Sequence, residues 1–144
     1  MFKLTKKADY GLIAVKHLAS RGRTSCSAKE IAEAHNLPAE MLAKILQKLV
    51  RSGLLSSQHG TNGGYALARH PSTMTALEVI RAIDGPLFIT SCVTTRGECD
   101  QSPKCTVREP LRKVNETIEQ ALNAVTISSL GEERTGLVQL EGLI

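Results

Sequence analysis

Three observations predict a mainly α fold with a small β-wing for this chain of 144 residues. Apolar residues in the first half recur at three- and four-residue intervals, and polar caps and a proline mark the ends of short helices. A glycine-rich run from Gly60 to Gly64 lies between two short strand-like runs. A second apolar repeat beyond residue 106 requires one long helix. Together they predict a winged helix-turn-helix domain over residues 1–84 and a cysteine-rich loop over 85–106. A dimerisation helix with a short following segment then covers 107–130, and a tail covers 131–144.

The first helix is expected from Leu4 to Ala19, with Leu4, Ala8, Leu12, Val15 and Ala19 on its apolar stripe. Arg21, Gly22 and Arg23 end it. Ser27 and Glu30 have the spacing of a capping box, in which the hydroxyl accepts from the backbone three residues on and the carboxylate reaches back. The short helix that follows, Ser27 to Ala34, ends at a tight turn of His35, Asn36 and Leu37. Pro38 suits the first position of the next helix, where its missing N–H would have had no partner. That helix runs to about Arg51 and stops at Gly53. Thr75 and Glu78 form a second capping-box pattern and start a helix to about Asp84, which Gly85 and Pro86 break.

Two helices joined by a three-residue turn are a helix-turn-helix. Leu42, Ile45, Leu46 and Leu49 make the buried stripe of the second helix. Glu40, Ala43, Lys44, Gln47, Lys48 and Arg51 lie opposite, a mostly cationic or amide-bearing face able to meet phosphates or base edges in the major groove. On an isolated helix such a face is an ordinary solvated one. The segment from Leu54 to Arg69 changes that reading, because strand-like runs flanking Gly60, Asn62, Gly63 and Gly64 are the wing of a winged helix. Its glycines let backbone N–H groups approach the sugar-phosphate chain, and His59 or Arg69 adds charge. The candidate DNA-contacting set comprises Ser27, Pro38, Ala39, Glu40 and Met41 at the helix starts, Lys44, Gln47, Lys48 and Arg51 along the second helix, and His59, Gly60, Asn62, Gly63, Gly64 and Tyr65 in the wing.

Composition narrows the partners. Lys and Arg number 18 against 14 Asp and Glu, a net +4 compatible with a phosphate-binding face. Aromatics make up only 3%, with no Trp, so there is little on which to stack unpaired bases and double-stranded DNA is the expected nucleic acid. No stretch of 18 apolar residues or cleavable leader is read, so the chain is expected in the cytoplasm without membrane contact. The glycine run lacks the GK[ST] ending of a phosphate loop. No nucleophile-base pair, paired carboxylates or cofactor fingerprint is evident, so an enzyme is not expected.

Cys92, Cys99 and Cys105 crowd a 14-residue stretch, and the only other cysteine is Cys26. Clustered thiolates are what an iron-sulfur cluster or zinc requires, and in a reducing compartment they stay free to ligate. Intervals of six and five residues are too wide for the usual zinc knuckle. Cys26 is expected to be a small buried side chain. From Val107 the positions Val107, Leu111, Val114, Ile118, Ala121 and Val125 form a seam. Either a second chain covers it in a homodimer, or the N-terminal domain does.

The chain resembles the family of iron-sulfur cluster regulators and nitric-oxide-sensing repressors. The likeness rests on Leu4-Thr5-Lys6 with Asp9-Tyr10, the helix-turn-helix, the Gly63-Gly64-Tyr65 wing ending, Ile83-Asp84-Gly85 and three cysteines before a long helix. Asp9-Tyr10-Gly11, Gly85-Pro86 and the cysteine spacing are most similar to the subgroup that regulates SUF cluster-assembly operons. The resemblance implies a homodimeric winged-helix repressor with a 2Fe-2S or 4Fe-4S cluster on Cys92, Cys99 and Cys105. One branch of that family takes its fourth ligand from a histidine after the third cysteine, where Arg108 stands here. Another uses a carboxylate near the N-terminus of the partner subunit, a position that Asp9 matches. Glu98 and Glu109 are reserve ligands, and a solvated carboxylate is the alternative role for Asp9. Two further readings stay open: a nitric-oxide-responsive repressor of the same family, and a DNA-binding thiol-redox or zinc switch. The operator expected for a dimer is a palindrome with half-sites ~34 Å or a multiple apart.

Overall fold

The computed structural model describes residues 4–22, 24–58, 63–87 and 107–130. Within them the chain folds as predicted into a mainly helical structure with a two-stranded wing. The first five elements are α1 (Lys6–Ser20), α2 (Ala28–His35), α3 (Ala39–Arg51), β1 (Leu55–Gln58) and β2 (Gly64–Leu67). A 3-10 turn (Pro71–Thr73) leads into α4 (Ala76–Asp84), and α5 (Arg108–Ala124) and α6 (Ile127–Leu130) follow. The expectation of a long helix after residue 106 is met by α5. Cys92, Glu98, Cys99 and Cys105 lie outside the described residues, as do His59, Gly60, Asn62 and the tail.

Local chemistry sets the helix ends. Thr5 caps α1, its hydroxyl accepting from the Ala8 N–H at 3.1 Å. The α1 stripe is rotated from the expected one. Ala8, Gly11, Ala14, Val15 and Leu18 are buried, whereas Leu4 lies before the helix and is 36% exposed. Gly11 and Ala14 belong to this face because α4 and α3 pack closely there: a Cβ on Gly11 would run into the Ile83 side chain and sit 3.4 Å from Ile45. The smallest residues mark the contact, which a search for large apolar side chains overlooks. At α2, Ser27 accepts from the Glu30 N–H at 3.1 Å. Asn36 closes that helix in the left-handed conformation (φ 54°), which asparagine tolerates well. Pro38 sits one position earlier than expected, as the N-cap of α3, with its carbonyl accepting from Leu42 at 3.0 Å. Thr75 and Glu78 make the full capping box of α4.

The core lies where α1, α2, α3 and α4 meet. Leu18, Ile31, Leu42, Ile45, Leu46, Leu49, Met74 and Ile80 are fully buried, and each such side chain contributes roughly 1.5–3 kcal/mol. The expected α3 stripe is therefore the core-facing one. β1 and β2 pair antiparallel, with Leu55 opposite Leu67 and Gln58 opposite Gly64. Cys26 extends this ribbon by exchanging two backbone bonds with Tyr65, at 2.9 and 2.7 Å. After α5 the chain turns back into the N-terminal unit. Val125 O accepts from Ala76 N and Ile127 N donates to Met74 O, both at 2.8 Å, and Ile127 is buried. The final described residues thus complete the winged-helix core, beyond the expected role of a segment trailing the long helix.

Candidate nucleic-acid interface

Burying Leu42, Ile45, Leu46 and Leu49 turns the other face of α3 outward. Glu40, Lys44, Gln47, Lys48 and Arg51 are exposed there, while Ala43 and Met41 are half-buried. Pro38 and Ala39, where α3 begins, are exposed. Between the C-terminal half of α3, the start of α2 and the wing lies a groove of about 540 Å³. It brings together Ser27, Gln47, Arg51, Gly63, Gly64 and Tyr65 from the candidate set, and adds Ala28, Val50, Ser57 and Gln58. The start of α2, an arginine, two amides and a glycine-bearing strand then border one concave surface, whose side-chain donors suit a phosphate backbone. Gln58 had a signal in the sequence: it is an amide two positions before the first glycine of the tip, and in the structure it ends β1, in register with Gly64.

Gly64 is the hinge of this geometry. A Cβ there would lie 2.6 Å from both the carbonyl carbon and oxygen of Cys26. Those are backbone atoms and cannot rotate away. The side-chain-free position is what lets β2 close on the start of α2 and hold the wing beside the recognition helix. The Cys26 thiol is buried, and that burial, then Glu30, pushes its pKa up, so it serves as a packing residue.

Two cations placed by sequence toward DNA have protein partners. Lys48 Nζ donates to the Ile83 carbonyl at 3.3 Å, in the last turn of α4. Arg69 forms an ion pair with Glu78 at 2.6 Å and donates to the Thr73 carbonyl, fastening the end of the wing to α4. Beside the charge expected of it in the wing, Arg69 thus has a local partner, and the bond holds the Glu78 carboxyl below the usual range.

Among the candidate cluster ligands, Asp9 and Glu109 are described. Asp9 is exposed in the first turn of α1. Glu109 is exposed in the first turn of α5 and accepts from Arg112 at 3.0 Å. Among the described residues, no three His, Cys, Asp or Glu side chains gather as a metal site. Thr5 Oγ1 donates to Asp84 Oδ2 at 2.6 Å, so α1 starts beside the point where the cysteine-bearing segment leaves α4.

The seam of α5 is largely uncovered in the single chain. Val107 is 53% and Val114 47% exposed, Ala121 is exposed, and Leu111, Ile118 and Val125 are half-buried. The helix meets α4 and the residues just after it through polar bonds. Arg81 pairs with Glu119 at 2.8 Å, and Asn115, only 4% exposed, donates to the Leu87 carbonyl at 3.0 Å. Among the described residues, no helix is long and apolar enough to cross a membrane.

A helix-turn-helix with an outward polar recognition face, flanked by a wing that closes a donor-lined groove, defines a winged-helix DNA-binding protein. The chain belongs to the Rrf2 family, described as iron-dependent transcriptional regulators, whose model matches residues 4–133. It is a regulator and not an enzyme. It is 31% identical to Protein aau3 of Rhizobium meliloti (strain 1021) over 143 residues, 98% of this chain and 92% of that one. The fold matches the structure of CymR (YrzC), the global cysteine regulator of B. subtilis, with a TM-score of 0.75 at 28% identity, covering 94% of this chain and all of that one. It matches T. potens IscR with a TM-score of 0.74 at 28% identity, covering 94% and 90%.

Proposed function

We propose that the chain is a homodimeric, iron-sulfur cluster-sensing repressor of cluster-assembly genes of the SUF type, acting in the cytoplasm. Cys92, Cys99 and Cys105 hold a 2Fe-2S or 4Fe-4S cluster, and α2, α3 and the wing bind a palindromic operator. One observation carries the reading: three thiol side chains fall within 14 residues of a chain from an iron-dependent regulator family. The likeness to T. potens IscR supports it. Asp9 suits the fourth ligand, being an exposed carboxylate near the N-terminus, and a carboxylate is a harder, weaker ligand to iron than thiolate. Glu109 would have to give up Arg112 to take that role, which favours Asp9 over it. The cluster supplies a centre that is gained or lost with iron supply and oxidants. The seam exposed at Val107 and Val114 is the surface a second copy covers.

Anaerobically purified protein should be brown and contain iron and sulfide, and Cys99→Ala should lose both. A Cys99→Ala protein that keeps full iron and sulfide would overturn the ligand set. A second reading, a thiol-responsive regulator, is favoured by the equal likeness to a CymR described as a global cysteine regulator. Colourless protein carrying stoichiometric zinc or none, with DNA binding that responds to thiol oxidation, would support it. A cluster that persists in air and is discharged by nitric oxide would point to the nitric-oxide-responsive repressor.

A further inference from the structure

We propose that Lys48 is a positioning residue that fixes the angle of the recognition helix by clamping it to the last turn of α4, and that it does not contact phosphate. The inference rests on α3 being the helix that reads DNA. Helices end in carbonyls without internal partners, and a cation there is favoured by both hydrogen bonding and the helix dipole. Lys48 meets that need at the Ile83 carbonyl, 3.3 Å away, although it stands on the outward face of α3. The same end of α4 is held by further contacts, from α1 and α5. The Ile83 side chain packs at Gly11 of α1. Asp84 accepts from Thr5 at 2.6 Å. One turn back, Arg81 pairs with Glu119 of α5, and just beyond the turn Leu87 is held by Asn115 of α5. The end of α4 is therefore the one joint among the described residues where α1, the recognition helix and α5 are all tied to the same few residues. Lys48 is the only polar tie from α3 to that joint among the described hydrogen bonds. Without it, the recognition helix keeps its core contacts but loses its fixed angle relative to α5.

A phosphate contact and an angular clamp differ in their salt dependence. Neutralising one phosphate contact lowers the slope of log affinity against log salt by about one unit and weakens all sequences alike. Loosening a clamp leaves the slope intact and lowers only the preference for the selected sequence. The probe is a duplex enriched by the parent protein from a random-sequence pool, compared with a random duplex of equal length, by anisotropy across a salt series. Lys48→Met keeps the aliphatic stem and removes the donor. It should bind the selected duplex roughly 2- to 30-fold more weakly, the range of mutations along a coupling path, with unchanged slope and unchanged random-duplex affinity. Lys48→Arg, which retains a cationic donor, should keep most of the parent's discrimination. Lys44→Ala serves as the comparison, expected to lower the slope by about one unit on both duplexes. A slope that falls in Lys48→Met, equal weakening on both duplexes, unchanged discrimination, or Lys48→Arg as impaired as Lys48→Met would each overturn the clamp. If Lys44→Ala and Arg51→Ala both leave binding unchanged, the reading of α3 as the DNA-reading helix falls, and the clamp with it.

Discussion

His17 and His35 stand at the ends of α1 and α2 with their ring nitrogens 3.0 Å apart and their rings edge to face. One neutral imidazole donates to the other there, so adding a second proton breaks the bond. Burial, then His35 and Arg21, hold the pKa of His17 below its ordinary 6.5, against the opposing pull of Glu30. A folded-state pKa below the unfolded one means that the folded chain binds fewer protons. The stability this pair contributes is thus present above pH 6.5 and lost as pH falls below it. His17→Gln should remove that part of the acid sensitivity, and melting temperatures between pH 7.5 and 5.5 should fall less in the variant than in the parent. An equal fall in both would contradict the coupling. Gly64 gives a second single-residue test. Gly64→Val puts a branched carbon against the Cys26 backbone, where a Cβ alone already lies at 2.6 Å, so β2 must move away from α2. A loss of about 1–3 kcal/mol in urea unfolding is expected, together with weaker DNA binding as the wing shifts. Unchanged stability would mean that the approach is looser than it stands.

Helix starts separate stability from function at the scale of elements. Ser27 caps α2 beside the groove, and Thr75 caps α4 far along the chain from it, with both halves of a capping box. Ser27→Ala and Thr75→Ala should each cost about 1 kcal/mol in thermal or urea unfolding. Only Ser27→Ala should also weaken operator binding, because Ser27 lines the groove. Equal affinity losses in the two variants would remove α2 from the interface. These caps are legible in the sequence because they are local, encoded within three or four residues, as are the tight turn of His35, Asn36 and Leu37 and the α3 stripe. The wing was legible for the same reason, from glycines between two alternating runs. What the sequence left out is contact between elements. Periodicity tells which face of α3 points outward, but the arrival of the Ile83 carbonyl beside Lys48, 35 residues away, depends on how α4 packs. The bond of Arg69 to Glu78 is hidden from the sequence for the same reason, since Glu78 becomes its neighbour only once the wing returns to α4. The α1 stripe was rotated because Gly11 and Ala14 mark a close helix approach without any large apolar side chain to announce it.

For the whole molecule, the unsatisfied surface is the α5 seam. Val107 and Val114 are the exposed large apolar residues on that helix and its cap, a pattern that a second copy of the same helix would bury. Val114→Glu should give monomers by sedimentation while leaving the winged-helix core folded, since that core draws on none of the α5 side chains for its buried cluster. A monomer reads one half-site, so its operator affinity should collapse. A Val114→Glu protein that remains dimeric would move the interface elsewhere. The end of α4 and the start of α5 flank the cysteine-bearing segment in sequence, and Asp9 is exposed on α1, one turn after the Thr5 that bonds to Asp84. A cluster held there would therefore act on the joint that carries the recognition helix. The most direct test of cluster control is the affinity of one operator duplex for anaerobically purified protein before and after removal of its iron and sulfide, at fixed salt. A change of roughly 5- to 150-fold, the usual span of allosteric coupling, is the predicted result. Equal affinities of the cluster-bearing and cluster-free dimers would contradict it.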